Sequence, residues 1–172
     1  MKKLWFLFFL VISCSAVGQP AVKIYAYSRV TTPGTVPVIP DESGKPSGVK
    51  IKTGENYYIY AVYAGSAKIS FAEVWIGGKY FQTQTERIES TPVLSINNDN
   101  PSNPVKEILV PATTKNVISI SPVGTPGDKT VKASWFRKMA KNTELIVSYF
   151  YKGKKYFIGV KKIKPLLPVA GV

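Results

Sequence analysis

The sequence predicts an all-β fold, an antiparallel β-sandwich with immunoglobulin-like packing and about seven to nine strands. Apolar and polar residues alternate over many short stretches, which is typical of strands that bury one face. Turn-forming residues separate these stretches, since the 172-residue chain contains 13 glycines and 13 prolines. Ten tyrosines and eight phenylalanines also favour strands. The Cys…Trp…Cys pattern of immunoglobulin domains is absent, so the prediction concerns architecture only.

The clearest hairpin covers residues 69–87 and turns at Gly77-Gly78. Two glycines between alternating stretches suit a two-residue loop, because primed turns need positive φ. This register places Trp75 opposite Tyr80. One face, which we expect to be core, then carries Ala72, Val74, Ile76, Phe81 and Thr83, and the other carries Ile69, Phe71, Glu73, Trp75, Tyr80, Gln82 and Gln84.

The Trp75/Tyr80 pair on the second, mixed face has two interpretations. Large aromatic side chains are usually buried, which favours a pair that is covered by a loop or by another strand. The alternative is an exposed aromatic platform on which a ligand or partner rests. We expect the covered arrangement.

A second hairpin covers residues 144–164 and turns within Lys-Gly-Lys at 152–154. Moving the loop by one position shifts the register by two residues, so the composition of each face is the same in either case. One face carries Leu145, Val147, Tyr149, Ile158 and Val160, and the other carries Ile146, Ser148, Phe150, Phe157, Gly159 and Lys161.

Positive charge is concentrated in the last quarter of the chain. Residues 129–172 contain 11 basic residues and a single acid, Glu144. Exposed lysines can simply deter strand-to-strand aggregation. Aromatic rings among like charges favour binding of an anionic partner instead. The predicted binding residues are Lys154, Lys155, Lys161, Lys162 and Lys164, together with Phe150 and Phe157 on the outward face.

Shorter strands are predicted at 21–30, 49–52, 57–64, 93–96, 105–110 and 115–121. The stretch 57–64 is apolar on both faces, which is typical of a central strand. Proline, glycine and asparagine predict surface loops at 31–48 and 97–104 and a break in the strand pattern at 122–128.

Residues 130–141 are compatible with two elements. As a strand, alternate residues from Val131 to Trp135 face one way; as a short helix, Val131, Trp135 and Met139 share one face. We expect a strand to about Phe136, followed by a turn or a single helical turn.

Residues 1–18 have the features of a secretory signal peptide: Lys2-Lys3 and then nine apolar residues, 4–12. As a helix, nine residues rise about 14 Å, well short of the roughly 30 Å of a bilayer core. The small residues before Gln19 suit signal peptidase, whereas the residues ending at Cys14 resemble the bacterial lipobox. We expect cleavage before Gln19, with acylation of Cys14 and membrane anchoring as the alternative.

Missing residue types exclude several chemistries. The chain has no histidine, and Cys14 is its only cysteine. Ser-His-Asp and Cys-His catalysis, zinc held by histidine or cysteine, and haem ligation through those residues are therefore excluded. We expect no cofactor and no metal. The remaining enzymatic hypothesis is a carboxylate-dependent, glycan-active enzyme using Glu73 and Glu86.

The sequence therefore predicts one domain over residues 19–172 in an exported, non-catalytic protein of the bacterial envelope, periplasmic or extracellular. It would act as a binding or assembly module through its basic, aromatic C-terminal hairpin. The expected partner is another envelope protein, an anionic glycan or lipid headgroups. Export argues against nucleic acid, and the sequence does not indicate an oligomeric state.

Overall fold

The computed structural model describes residues 20–32, 54–97, 104–127, 129 and 131–170. The signal segment with Cys14, most of the 31–48 loop, the predicted strand 49–52 and most of the 97–104 loop lie outside these residues. The elements are β1 (Val22–Thr32), β2 (Gly54–Tyr63), β3 (Ile69–Ile76), β4 (Lys79–Ile88), β5 (Val93–Asn97), β6 (Val105–Val110), β7 (Asn116–Gly127), α1 (Ser134–Asn142), β8 (Leu145–Tyr151), β9 (Lys154–Val160), β10 (Lys164–Pro165) and β11 (Val169–Ala170).

Most strands belong to one sheet with the order β10-β1-β2-β7-β4-β3-β8-β9, in which β11 also pairs with β1. Pairing is antiparallel except where β10 and β11 lie parallel to β1. The sheet is curled, because Val22 and Ile24 from β1 pack on the same core as Ile158 and Val160 from β9. The prediction of an all-β fold is confirmed.

The strands β5 and β6 form a separate two-stranded ribbon that covers the outer face of β1 and β2. Leu109 and Val110 of the ribbon are buried against Tyr27 and Tyr60 of the sheet. The Tyr27 hydroxyl donates a hydrogen bond to the Leu109 carbonyl at 2.8 Å. The ribbon is thus held by apolar packing and by a buried hydrogen bond.

The first hairpin forms with the predicted turn and register. Gly77 and Gly78 have φ of 55° and 80°, as a type I′ turn requires. Trp75 pairs with Tyr80, and the paired register ends at Glu73 opposite Gln82.

The predicted faces of this hairpin are wrong for the residues of β3 that precede Glu73. The pairing of β3 with β8 shifts between Phe71 and Glu73, which leaves Ala72 as an extra residue in a β-bulge. A bulge reverses the alternation of side chains along a strand. Ile69 and Phe71 therefore pack in the core with Val74, although the sequence pattern placed them on the opposite face.

The predicted break at 122–128 is also wrong, since β7 continues through Pro122 and Pro126 to Gly127. β2 pairs with β7 only along Asn116–Ile120, whereas β4 pairs with β7 over nearly its whole length. Among the described strands, the second half of β7 therefore has one edge without a partner. Prolines are tolerated at such an edge because their missing N–H disrupts no ladder.

Residues 134–142 form a helix, so the preferred interpretation as a strand through Phe136 is wrong. The helix packs Phe136, Met139 and Ala140 against the sheet, at the spacing of one helical face. Trp135, which the helical alternative placed on the buried side, is 48% exposed. No helix among the described residues is long and apolar enough to cross a membrane.

The second hairpin has the predicted faces. Its turn is Lys152-Gly153, and both residues have positive φ. Leu145, Val147 and Tyr149 are buried in the core of the curled sheet. This hairpin forms one end of the sheet, and its outer side carries Phe150 and Phe157.

Replacing both Gly77 and Gly78 by valine should lower the free energy of unfolding by about 2–4 kcal/mol, since a left-handed conformation costs about 1–2 kcal/mol for each residue with a Cβ. Urea unfolding measures this change. The control is Gly65→Val in an open turn without positive φ, which should stay within about 0.5 kcal/mol of the wild type. Equal effects of the two changes would contradict the turn assignment.

Candidate functional site

The candidate site is the outer side of β3, β8 and β9 together with α1, which lies on it. We call this surface the basic–aromatic face. Its buried base consists of Trp75 from β3, Ile146 from β8 and Phe136 from α1. Phe157 from β9 packs against the same cluster. The face therefore depends on the helix being docked on the sheet.

Gly159 allows α1 to approach the sheet closely. A Cβ at Gly159 would lie 2.7 Å from Thr143 Cγ2 and 3.2 Å from Met139 Cγ. Thr143 cannot turn away freely, because its hydroxyl donates a hydrogen bond to the Met139 carbonyl at 2.9 Å. Position 159 thus requires glycine, because a side chain there would push α1 away from the sheet.

Four aromatic rings interlock beneath and beside α1. The ring centroids of Trp75 and Phe136 are 5.0 Å apart, those of Trp135 and Phe157 are 5.1 Å apart, and those of Phe136 and Phe157 are 5.6 Å apart, all edge to face. Such contacts add about 0.5–1.5 kcal/mol each beyond area burial. The cluster fixes the position of Trp135 at its outer margin.

The structure buries Trp75 and leaves Trp135 accessible. Trp75 is only 3% exposed, and its indole N–H donates to the Lys129 carbonyl at 2.9 Å. Trp75 and Tyr80 are in contact, with ring centroids 5.7 Å apart. Because Phe136 and Phe157 cover Trp75, the pair does not form an open platform, and the covered arrangement is the one found.

Glu73 is a buried carboxylate, 8% exposed, held between two lysines. Lys129 donates to one carboxylate oxygen and Lys155 to the other, and Ser148 Oγ donates to the second oxygen at 3.3 Å. Burial alone would raise the pKa of Glu73, but the two ammonium groups outweigh it and lower that pKa. The hydrogen bond to Glu73 raises the pKa of Lys129.

This environment does not suit an acid catalyst. A glycosidase acid needs a raised pKa so that it is protonated near neutral pH, whereas Glu73 is stabilised as the anion. Glu86 lies on β4 opposite Ser119 and is exposed. The pair considered from the sequence thus combines an ion-paired buried acid with a solvated one.

The predicted lysines do not form one cluster. Lys154 and Lys155 open β9, whereas Lys161 and Lys162 follow its other end, about 20 Å away at 3.3 Å per residue. Lys164 belongs to β10, and its ammonium lies 5.9 Å from the Tyr27 ring on β1. The predicted binding lysines are therefore distributed over both ends of β9 and over β10.

The predicted phenylalanines differ in accessibility. Phe150 is 39% exposed, whereas Phe157 is half-buried between Trp135 and Phe136. Lys155 lies 5.8 Å from the ring of Phe150 and 5.3 Å from that of Phe157. Its charge is therefore partly engaged by two rings and by Glu73.

The helix contributes functional candidates that the sequence analysis missed. Arg137, Lys138 and Lys141 are exposed along α1 and line a shallow depression with Ser134. Their spacing of i, i+1 and i+4 was visible in the sequence as the polar side of the helical alternative. Among the described residues, no three acidic, histidine or cysteine side chains lie close enough to hold a metal ion.

Gly159→Ala should lower the free energy of unfolding by about 1–3 kcal/mol, because the added methyl group overpacks the contact between helix and sheet. The methyl group meets Thr143 Cγ2, which serine lacks. Adding Thr143→Ser should therefore restore part of the lost stability, as measured by urea unfolding. If Thr143→Ser and Gly159→Ala are simply additive, the close contact is not the cause.

Glu73→Gln should cost about 1–3 kcal/mol at pH 7, since it leaves two lysines without their anion. A lowered pKa in the folded state stabilises the protein above the unfolded value, 4.5, and that contribution is lost as the pH falls through the folded value. The difference between wild type and variant in urea unfolding should thus shrink between pH 5 and pH 2. Glu86→Gln is the control, within about 0.5 kcal/mol of the wild type. If the difference in free energy of unfolding between wild type and Glu73→Gln is the same at pH 5 and pH 2, the ion pairs of Glu73 with Lys129 and Lys155 are contradicted.

Comparisons with known proteins give no relative. No family model, no curated protein sequence and no solved structure matches the chain.

Proposed function

We propose that the chain is an exported, non-catalytic protein of the bacterial envelope that acts as a binding or assembly module. The basic–aromatic face is its contact surface, and an anionic glycan, lipid headgroups or an acidic envelope protein is its partner. The carrying observation is the exposure of Trp135 beside the cationic side chains of α1. An exposed ring among like charges contributes little to solubility and suits an anionic surface with apolar parts.

The charge balance supports this proposal. Residues 129–172 contain 11 basic residues and one acid. That acid, Glu144, accepts a hydrogen bond from the Ile163 backbone N–H at 2.7 Å. Glu73 offsets charge only at Lys129 and Lys155. The cations of α1 therefore keep a positive field that attracts anions.

Residues 1–18 have the features of a signal peptide, which supports a location of the protein in the periplasm or outside the cell. Cleavage before Gln19 releases it. Acylation of Cys14 is the alternative, and it would leave only residues 15–21 before β1 begins at Val22. Seven residues reach about 25 Å at most, so an anchored protein would stay close to the bilayer.

The proposed architecture within the all-β class is a β-sandwich with immunoglobulin-like packing. Its support is that the two ends of the curled sheet, β1 and β9, bring side chains into one core. In a sandwich, side chains from two facing sheet surfaces fill one core, and facing parts of the single curled sheet fill one core here.

The helix charges should control binding to anionic surfaces. Replacing Arg137, Lys138 and Lys141 by glutamine should remove most binding to phosphatidylglycerol vesicles and to polygalacturonate in sedimentation assays at low salt. Wild-type binding should fade as the Debye length falls from about 10 Å at 0.1 M salt to roughly 3 Å at 1 M. Comparing the two probes distinguishes a lipid from a glycan partner.

The matched control replaces Lys161, Lys162 and Lys164 by glutamine, which removes the same charge from the far end of β9 and from β10. It should retain most binding, while Trp135→Ala should weaken binding at unchanged net charge. Equal losses in the two triple variants would indicate attraction by net charge alone and would contradict a defined contact face.

A further inference from the structure

A cleft opens where two neighbouring strands of the main sheet diverge. β2 and β7 pair only between Ile59–Tyr63 and Asn116–Ile120. Beyond these pairs, the first half of β2 and the second half of β7 border a cleft of about 600 Å³. This volume lies within the range of roughly 300–1,000 Å³ that is typical of small-molecule sites.

Aromatic side chains supply the apolar part of the cleft. Tyr57, Tyr58 and Phe81 all line it and are all half-buried. Tyr57 and Phe81 also pack against the main core, so the cleft leads towards the interior of the curled sheet. Ring surfaces held by the core present an apolar wall at little cost in conformational entropy.

Hydroxyl and amide groups supply the polar part. Ser119, Ser121 and Asn56 line the cleft from its two bordering strands. The Tyr57 hydroxyl donates to Glu55 Oε2 at 2.8 Å. Burial and, to a smaller extent, this hydrogen bond raise the pKa of Tyr57 to about 12. The hydroxyl therefore remains a neutral donor at physiological pH, and it orients the carboxylate.

Formal charge in the cleft is balanced, in contrast to the basic–aromatic face. The charged residues that line it are one acid, Glu55, and one base, Lys79. The cleft does not select a ligand by net charge. It offers donors and acceptors beside apolar rings, a combination that matches a molecule carrying both hydroxyl groups and an apolar face.

A peptide strand suits this cleft less well. A strand added to the free edge of β7 would need backbone N–H donors along that edge. Pro122 and Pro126 line the cleft from β7 and have no N–H. Their presence reduces the ladder that an inserted strand could form.

We infer that the cleft between β2 and β7 is a binding site for a short neutral glycan. A sugar ring has C–H faces that pack on Tyr57 and Phe81, which border the same core. Its hydroxyl groups can donate to the Glu55 carboxylate, and they can both donate to and accept from Asn56 and Ser121. This inference concerns a different surface from the basic–aromatic face and does not rest on the proposed function.

The test is titration of ¹⁵N-labelled protein with three neutral probes, cellotriose, maltotriose and N,N′-diacetylchitobiose, followed by amide chemical shifts. At least one probe should produce saturable shifts centred on Asn56, Tyr58, Ser119 and Ser121. Ser121→Trp, which fills the cleft, should raise the Kd for that probe at least tenfold. Pro126→Trp, at a second exposed position of the cleft, should do the same if Ser121→Trp fails to fold.

Ser70→Trp is the matched control, since Ser70 is an exposed strand serine that does not line the cleft. It should bind the probe like the wild type, and so should the variant with glutamine at Arg137, Lys138 and Lys141. The inference is overturned if no probe gives saturable shifts. It is also overturned if the shifts centre on another surface, or if a folded cleft-filling variant binds as tightly as the wild type.

Discussion

The arrangement of the basic–aromatic face depends on one constraint, the need to satisfy two polar groups that β3 buries. The side chains of Glu73 and Trp75 are both buried, and a buried polar group without a partner costs several kcal/mol. Lys129 satisfies both, since its ammonium group bonds to Glu73 and its carbonyl accepts from Trp75. Lys129, which lies five residues before α1 begins at Ser134, is thereby held on the sheet.

The same constraint distinguishes two lysines from the cations of α1. Lys129 and Lys155 are committed to Glu73, and Lys155 also lies near two aromatic rings. Arg137, Lys138 and Lys141 project from the helix and remain exposed. Formal charge therefore overstates what Lys129 and Lys155 offer to a partner. Packing of Trp135 against Phe157 then holds an exposed ring beside the available cations.

Features fixed by neighbouring residues could be predicted from the sequence, and features fixed by distant contacts could not. The Gly77-Gly78 turn and the faces of the second hairpin follow from local turn chemistry and alternation, whereas the sequence left the second turn open between Lys152-Gly153 and Gly153-Lys154. The bulge at Ala72 arises from pairing with β8 and has no local signature. The helix at Phe136 was the less favoured alternative from the sequence, because its stability comes from burial against Trp75, far away in the chain. The cleft between β2 and β7 depends on where these two strands separate, which no short stretch of sequence encodes.

The parallel pairing of β1 with β10 and β11 has a consequence for how the chain folds. Tyr27 pairs with Lys164, and Thr31 pairs with Val169. Among the described residues, one edge of β1 therefore has β10 and β11, the last two strands, as its neighbours. Contacts of such wide sequence separation close large loops and slow folding, to milliseconds or seconds in sheet proteins. During synthesis, this edge of β1 stays open until residues 164–170 are available to pair with it. A chain caught at that stage presents an unpaired strand edge, which is the surface that assisted folding would have to protect.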